Sequence, residues 1–174
     1  MNITADQLHK IYPFAKKRVE LFLEGINKTL AQFHINTPDR VAAFLAQIGH
    51  ESGQLLYVRE LASGEAYEGR ADLGNVSLGD GIKYKGRGLI QITGRANYEQ
   101  IERELGLPCV KNPEILEHPD YAVLVSGWYW NSRMLNDLAD KQDFIKITKK
   151  INGGVNGLAD RQEIYERALK ILGA

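Results

Sequence analysis

Two glutamates nine residues apart are the first side chains in this sequence whose type and spacing could do chemistry. Glu51 closes the run Gln47-Ile48-Gly49-His50-Glu51, the end of an otherwise apolar helical stretch. A carboxyl group partly walled off by core side chains has its charged form disfavoured, which raises its pKa. A general acid needs that property to hold a proton near neutral pH. Helix-end glutamates are common, so Glu51 alone carries little. Glu60 follows in Tyr57-Val58-Arg59-Glu60-Leu61. On one continuous helix the pair would stand roughly 13.5 Å apart along the axis and about half a turn around it, pointing apart. Ser52-Gly53 offers the chain a place to stop and turn. A break there would let Glu60 face Glu51 across a cleft with room for a water, as inverting glycoside hydrolysis requires. The alternative is that Glu60 pairs with Arg59 or another surface base, and spacing alone leaves both readings open.

A third segment, residues 84–98, reads Tyr-Lys-Gly-Arg-Gly-Leu-Ile-Gln-Ile-Thr-Gly-Arg-Ala-Asn-Tyr. Gly86 and Gly88 permit close approach of the backbone to another element or to a sugar. Gln91 and Thr93, if extended, share a face opposite Ile90 and Ile92. A hydroxyl there suits the attacking water, and amides suit sugar hydroxyls or acetamido groups. No Walker-type Gly-Lys-Ser/Thr ending follows, which sets phosphate binding aside. Tyr67 and Tyr84, in the glycine-rich region, are candidates for sugar contact. His50 precedes a glutamate that already fits a role, and reads as a structural histidine hydrogen-bonded within the cleft wall. Trp128-Tyr129-Trp130 reads mainly as core packing, with at most one face of the triplet reaching a cleft.

These side chains must be positioned by helices. Thr4 caps a short helix ending before Pro13. Val19, Phe22, Leu23, Ile26, Leu30 and Phe33 recur at three- and four-residue intervals and mark a longer one. Thr37-Pro38-Asp39 combines a capping hydroxyl, a first-turn proline and a first-turn acid. The helix it opens carries Val41, Phe44, Leu45 and Ile48 on one face and is expected to run to about Gly53. Residues 62–88 hold seven glycines and little periodicity, which reads as a long ordered loop or a small hairpin. Helical pattern resumes over 95–105 with Gly106 as C-cap, over 120–131 as a central buried helix, and over 143–151 and 158–172.

At these motifs the chain resembles the family 19 glycoside hydrolases, which include plant-type chitinases, and most closely their bacteriophage endolysin branch. The matching blocks are His50-Glu51-Ser52-Gly53, Glu60, segment 84–98, Ile151-Asn152-Gly153-Gly154, and Asp160-Arg161 opening the last helix. The resemblance implies a mainly α, lysozyme-like single catalytic domain over residues 1–174, with a catalytic cleft and a glycine-rich insertion. It implies Glu51 as general acid, Glu60 as the base that activates water, and Thr93 holding that water. Gln91, Asn97 and Asn152 would contact the glycan, and Arg161 would support the cleft by pairing with a catalytic carboxylate or neighbouring backbone. The chain departs from plant chitinases in lacking their cysteines, in its shortness, and in placing Asn156 where an acid follows their Asn-Gly-Gly motif. Those departures favour peptidoglycan over chitin.

Composition agrees with one ordinary globular domain of 174 residues, 44% hydrophobic and 25% charged, with 22 basic against 22 acidic residues. That balance argues against nucleic acid as partner. Lys16-Lys17-Arg18 reads as a solvated helix face. Cys109 is the single cysteine, which precludes an internal disulfide, and it reads as a small buried hydrophobe. His9, His34 and His118 lack metal-site spacing, so neither metal nor cofactor is expected. No apolar run suits membrane insertion, and the N-terminus lacks the pattern of a signal peptide, so synthesis in the cytoplasm is expected. The functional expectation is a monomeric muramidase of the endolysin type, reaching the wall after the membrane is permeabilised. A chitinase acting on N-acetylglucosamine polymers, a catalytically silent glycan-binding module and a delivered antibacterial toxin are the alternatives.

Overall fold

The computed structural model describes residues 1–173. Helix α1 (Ala5–Ile11) opens on a capping box: Gln7 N donates to Thr4 Oγ1 at 3.1 Å, and Thr4 N donates to Gln7 Oε1 at 2.9 Å. Helix α2 (Arg18–Gln32) turns Val19, Phe22, Ile26 and Leu30 inward. Helix α3 (Pro38–Glu51) starts where Thr37 Oγ1 accepts from Arg40 N at 3.2 Å. Every residue from Val41 to Gly49 is buried, so α3 is the axis of the core rather than a one-faced helix. Helix α9 (Leu158–Leu172) packs along α3, and α6 (Pro119–Ser132) packs along α2. The short α7 (Leu135–Asp140) and α8 (Phe144–Asn152) link these two pairs. Cys109 is buried, and burial pushes its thiol up to about 11. The mainly helical fold agrees with the sequence reading.

Helix α3 stops at Glu51 rather than near Gly53. Ser52 Oγ donates to Ile48 O at 2.6 Å and accepts from Leu55 N at 2.9 Å, which ties off the last turn. Gly53, Gln54 and Leu55 then all adopt left-handed backbone, with φ of 60°, 56° and 71°. For the two non-glycine residues that conformation costs about 1–2 kcal/mol each. Burial of Leu55, 1% exposed, offsets that cost. This reversal redirects the chain toward Glu60.

The glycine-rich stretch contains 3₁₀ turns at Glu65–Tyr67 and Ala71–Leu73 and a single-turn helix α4 (Asp80–Lys83) before α5 (Arg95–Leu105). The small hairpin is reduced to isolated bridges: Arg87 and Ile92 exchange hydrogen bonds of 3.1 and 2.7 Å, and Arg87 also bridges to Arg59. The turn of Gly88–Gln91 and the start of α5 leave too few residues for longer strands. Side chains do the ordering that a sheet would otherwise supply. Glu68 accepts from Gly79 N and Gly81 N, each at 2.8 Å. Asp80 accepts from Arg95 Nε and Nη2, each at 2.8 Å, and from Ser77 N at 3.0 Å. Hydrogen bonds from Arg95 hold the Asp80 carboxyl below the usual carboxylate range.

Candidate active site

Glu51 sits at the C-terminal end of α3, its side chain 25% exposed, with Oε1 2.7 Å from Arg161 Nη2. The apolar enclosure expected of it is therefore interrupted by a buried cation. Arg161, 1% exposed on the first turn of α9, also donates from Nε to Asn156 O at 3.1 Å and from Nη1 to Gln47 Oε1 at 2.6 Å. Gln47 in turn donates from Nε2 to Thr148 Oγ1 at 2.9 Å, and Thr148 donates to Phe144 O at 3.1 Å. Arginine has donors only, so this relay runs in one direction and fixes the orientation of the Gln47 amide. The other Glu51 oxygen, Oε2, has no hydrogen-bond partner among the described residues.

Glu51 lines a cavity of about 330 Å³ together with Ile90, Gln91, Tyr129 and Ile151. The half-buried Tyr129 is the face of Trp128-Tyr129-Trp130 that reaches the cleft, while Trp128 and Trp130 are 6% and 0% exposed. Sequence reasoning did not single out Tyr129, and the only signal was its place in an aromatic triplet. Burial pushes the Tyr129 hydroxyl up, Arg133 acts against that, and Glu51 adds to it.

Glu60 enters from the loop wall. Its Oε1 accepts from Gly86 N at 2.6 Å, its Oε2 accepts from Tyr67 Oη at 2.9 Å, and its own N–H donates to Gly86 O at 2.9 Å. Arg59 pairs with Glu117 at 3.1 Å instead, which removes the reading of Glu60 as half of a local pair with Arg59. A Cβ built on Gly86 would lie 2.7 Å from Gln91 Oε1 and 3.2 Å from Thr93 Oγ1. Gln91 and Thr93 therefore share the face that packs on Gly86, as expected. Contact runs unbroken from Glu60 through Gly86 to Gln91, and Gln91 lines the cavity with Glu51. One carboxylate is held by a cation, the other by two neutral donors.

The remaining sequence candidates divide. His50 Nδ1 lies 2.7 Å from Asp160 Oδ2, joining α3 to the start of α9 as a structural histidine would. Gly157, at φ +72°, packs so closely on the His50 ring that an added Cβ would come within 2.2 Å of it. Asn152 is exposed beside cavity-lining Ile151, and its Oδ1 accepts from Asn156 N at 3.3 Å. Asn97 is half-buried and donates to Thr93 O at 2.8 Å, so its amide secures the segment bearing Thr93. Tyr67 is half-buried and holds Glu60, and burial with that hydrogen bond pushes its hydroxyl up. Tyr84 is a correction: it is 0% exposed, donates to Val110 O at 2.9 Å and packs edge-on against Tyr98, so it is core and unable to meet a sugar. Among the described residues, no three His, Cys, Asp or Glu side chains are grouped to hold a metal ion, and no helix is long and apolar enough to cross a membrane.

A helical core with Glu51 on a polar cavity, and with Glu60 joined through Gly86 to the cavity-lining Gln91, suits a glycoside hydrolase of the lysozyme-like type. No family model matches the chain. A glycosyl hydrolase family 19 domain-containing protein of Haemophilus influenzae is 31% identical over 98% of this chain and 97% of its own length. Endochitinase At2g43610 of Arabidopsis thaliana is 37% identical over 66% of the chain, which spans only 39% of that enzyme. The crystal structure of a bacterial family 19 chitinase superposes with a TM-score of 0.81 at 24% identity, over 99% of this chain and 95% of that one, and shows a shared fold. The chain belongs to glycoside hydrolase family 19.

Proposed function

We propose that the protein is an endolysin-type muramidase that hydrolyses the glycan backbone of peptidoglycan with inversion. The observation that carries this reading is the unequal seating of the two carboxylates, Glu51 on the polar cavity beside Arg161 and Glu60 held by Gly86 and Tyr67 behind the cavity-lining Gln91. Glu51 acts as the general acid through Oε2, the oxygen Arg161 does not hold, giving a proton to the glycosidic oxygen, and Arg161 stabilises the carboxylate that remains. Glu60, aimed by Gly86 N–H and Tyr67, takes a proton from a water that Thr93 helps to hold, and this water attacks the opposite face of the sugar. Gln91, Tyr129 and Asn152 line the path of the chain. Asn156 supports a wall substrate over chitin, because it stands where plant chitinases carry an acid. The enzyme meets the wall once the membrane is permeabilised.

The test is clearing of outer-membrane-permeabilised Gram-negative cells by wild type beside Glu51→Gln, followed by identification of the sugar at the new reducing ends. Clearing by wild type alone, with muramic acid at those ends, is the expected result. Peptide cleavage without new reducing ends refutes it.

Chitin cleavage is the second reading, favoured by the 37% identity to the Arabidopsis endochitinase. Release of short fragments from N-acetylglucosamine oligomers, with walls left intact, selects it. Binding to either glycan without any bond cleavage selects a silent module.

A further inference from the structure

Stacked on a side chain that lines the cavity lies a cation that the chemistry above does not use. Arg133, exposed just beyond α6, lies with Cζ 3.5 Å from the centroid of the Tyr129 ring, the same ring that lines the cavity with Glu51. Its Nη1 donates to Ser132 Oγ at 3.1 Å, and Ser132 Oγ donates to Tyr129 O at 2.8 Å, so the guanidinium is anchored at its edge as well as stacked. Among the described residues, no carboxylate lies within 4.0 Å of Arg133. The chain at large is charge-balanced, and a guanidinium without a carboxylate partner, pre-positioned on a cavity-lining tyrosine, is a local departure from that balance. Stacking on tyrosine limits the freedom that an exposed arginine otherwise loses on binding, and it leaves the outer N–H groups directed away from the ring. A planar fork of donors held at one edge by Ser132 and with no carboxylate partner among the described residues is matched to a carboxylate.

We propose that Arg133, seated on the Tyr129 wall, binds a carboxylate of the peptide branch on the substrate glycan. The cleft thereby favours an anionic, branched glycan over a neutral one. This rests on the peptidoglycan reading, because chitin carries neither branch nor carboxylate. Arg133 touches the substrate away from the bond that breaks, so its effect belongs to binding.

The test measures binding to the full chain carrying Glu51→Gln, which removes turnover. The probes are a disaccharide–tetrapeptide fragment of peptidoglycan, the same fragment with its carboxyl groups amidated, and an N-acetylglucosamine tetramer. The acidic fragment should bind about fivefold more tightly than the amidated one at low salt, the scale of a rim ion pair. That gap should shrink as ionic strength rises, vanish with Arg133→Gln and return in part with Arg133→Lys. A gap that survives Arg133→Gln, or no gap in the parent, overturns the assignment of Arg133. If wild type still releases wall fragments in that case, the peptidoglycan reading stands without Arg133. Walls left intact together with binding of the tetramer alone overturn both.

Discussion

Arg161 Nη2 and Glu51 Oε1 lie 2.7 Å apart, a contact between residues 110 positions apart in sequence that fastens the start of α9 to the end of α3. One guanidinium thus serves Glu51, Gln47 and the Asn156 carbonyl at once. Replacement by lysine keeps the charge but not the fork, so the three contacts cannot all be kept. Arg161→Lys should lower stability by about 1–3 kcal/mol, the cost of a buried acceptor left unmet. It should also lower kcat more than it raises KM. Denaturant unfolding alongside steady-state kinetics measures both; unchanged kcat removes Arg161 from catalysis.

The link between Tyr67 and Glu60 separates two roles for the tyrosine. Tyr67→Phe deletes the hydroxyl that Glu60 Oε2 accepts from and leaves the Gly86 N–H in place. A hydrogen bond to a charged group is worth about 1.5–3 kcal/mol, so kcat should fall at least tenfold, with KM little changed. A rise in KM with kcat intact would make Tyr67 a sugar contact only.

Gly157 offers a test of how tightly the His50 wall is set. Alanine there takes on left-handed backbone and drives a Cβ into the imidazole. The backbone term alone costs about 1–2 kcal/mol. Gly157→Ala should lower the melting temperature and reduce activity together, because the displaced histidine adjoins Glu51. Retention of both would show that the His50 ring relocates freely.

Acid should loosen the glycine-rich lobe before the core. The Asp80 carboxyl is held low by Arg95. A depressed folded pKa contributes stability that is present above the unfolded value, about 3.9, and lost as pH falls through the folded one. Amide exchange in residues 75–95 should therefore accelerate below about pH 4, ahead of exchange in α3. Asp80→Asn should produce faster exchange at neutral pH as well. Simultaneous loss of protection in both regions would contradict a separate acid-labile lobe.

Local chemistry was legible in the sequence because it is decided by neighbours in the chain. The caps at Thr4 and Thr37, the apolar repeat of α2, the start of α5 and the extent of α9 all follow from side chains within a turn of one another. The pairing of Gln91 with Thr93 on one face follows likewise from alternation along a short extended stretch. Tertiary structure decided the rest. Nothing within a few residues of Tyr84 says that it points into the core, and nothing around the triplet says that Tyr129 is the member that reaches the cleft. The hairpin shrank to single bridges because the Gly88–Gln91 turn and the start of α5 leave no room for strands, and Glu68, Asp80 and Asn75 satisfy the loop backbone from 3 to 13 residues away. Glu51 and Glu60 were visible as types and positions. The cation beside one and the neutral donors around the other depend on where α9 and the Gly86 turn come to rest, and only long-range packing sets that.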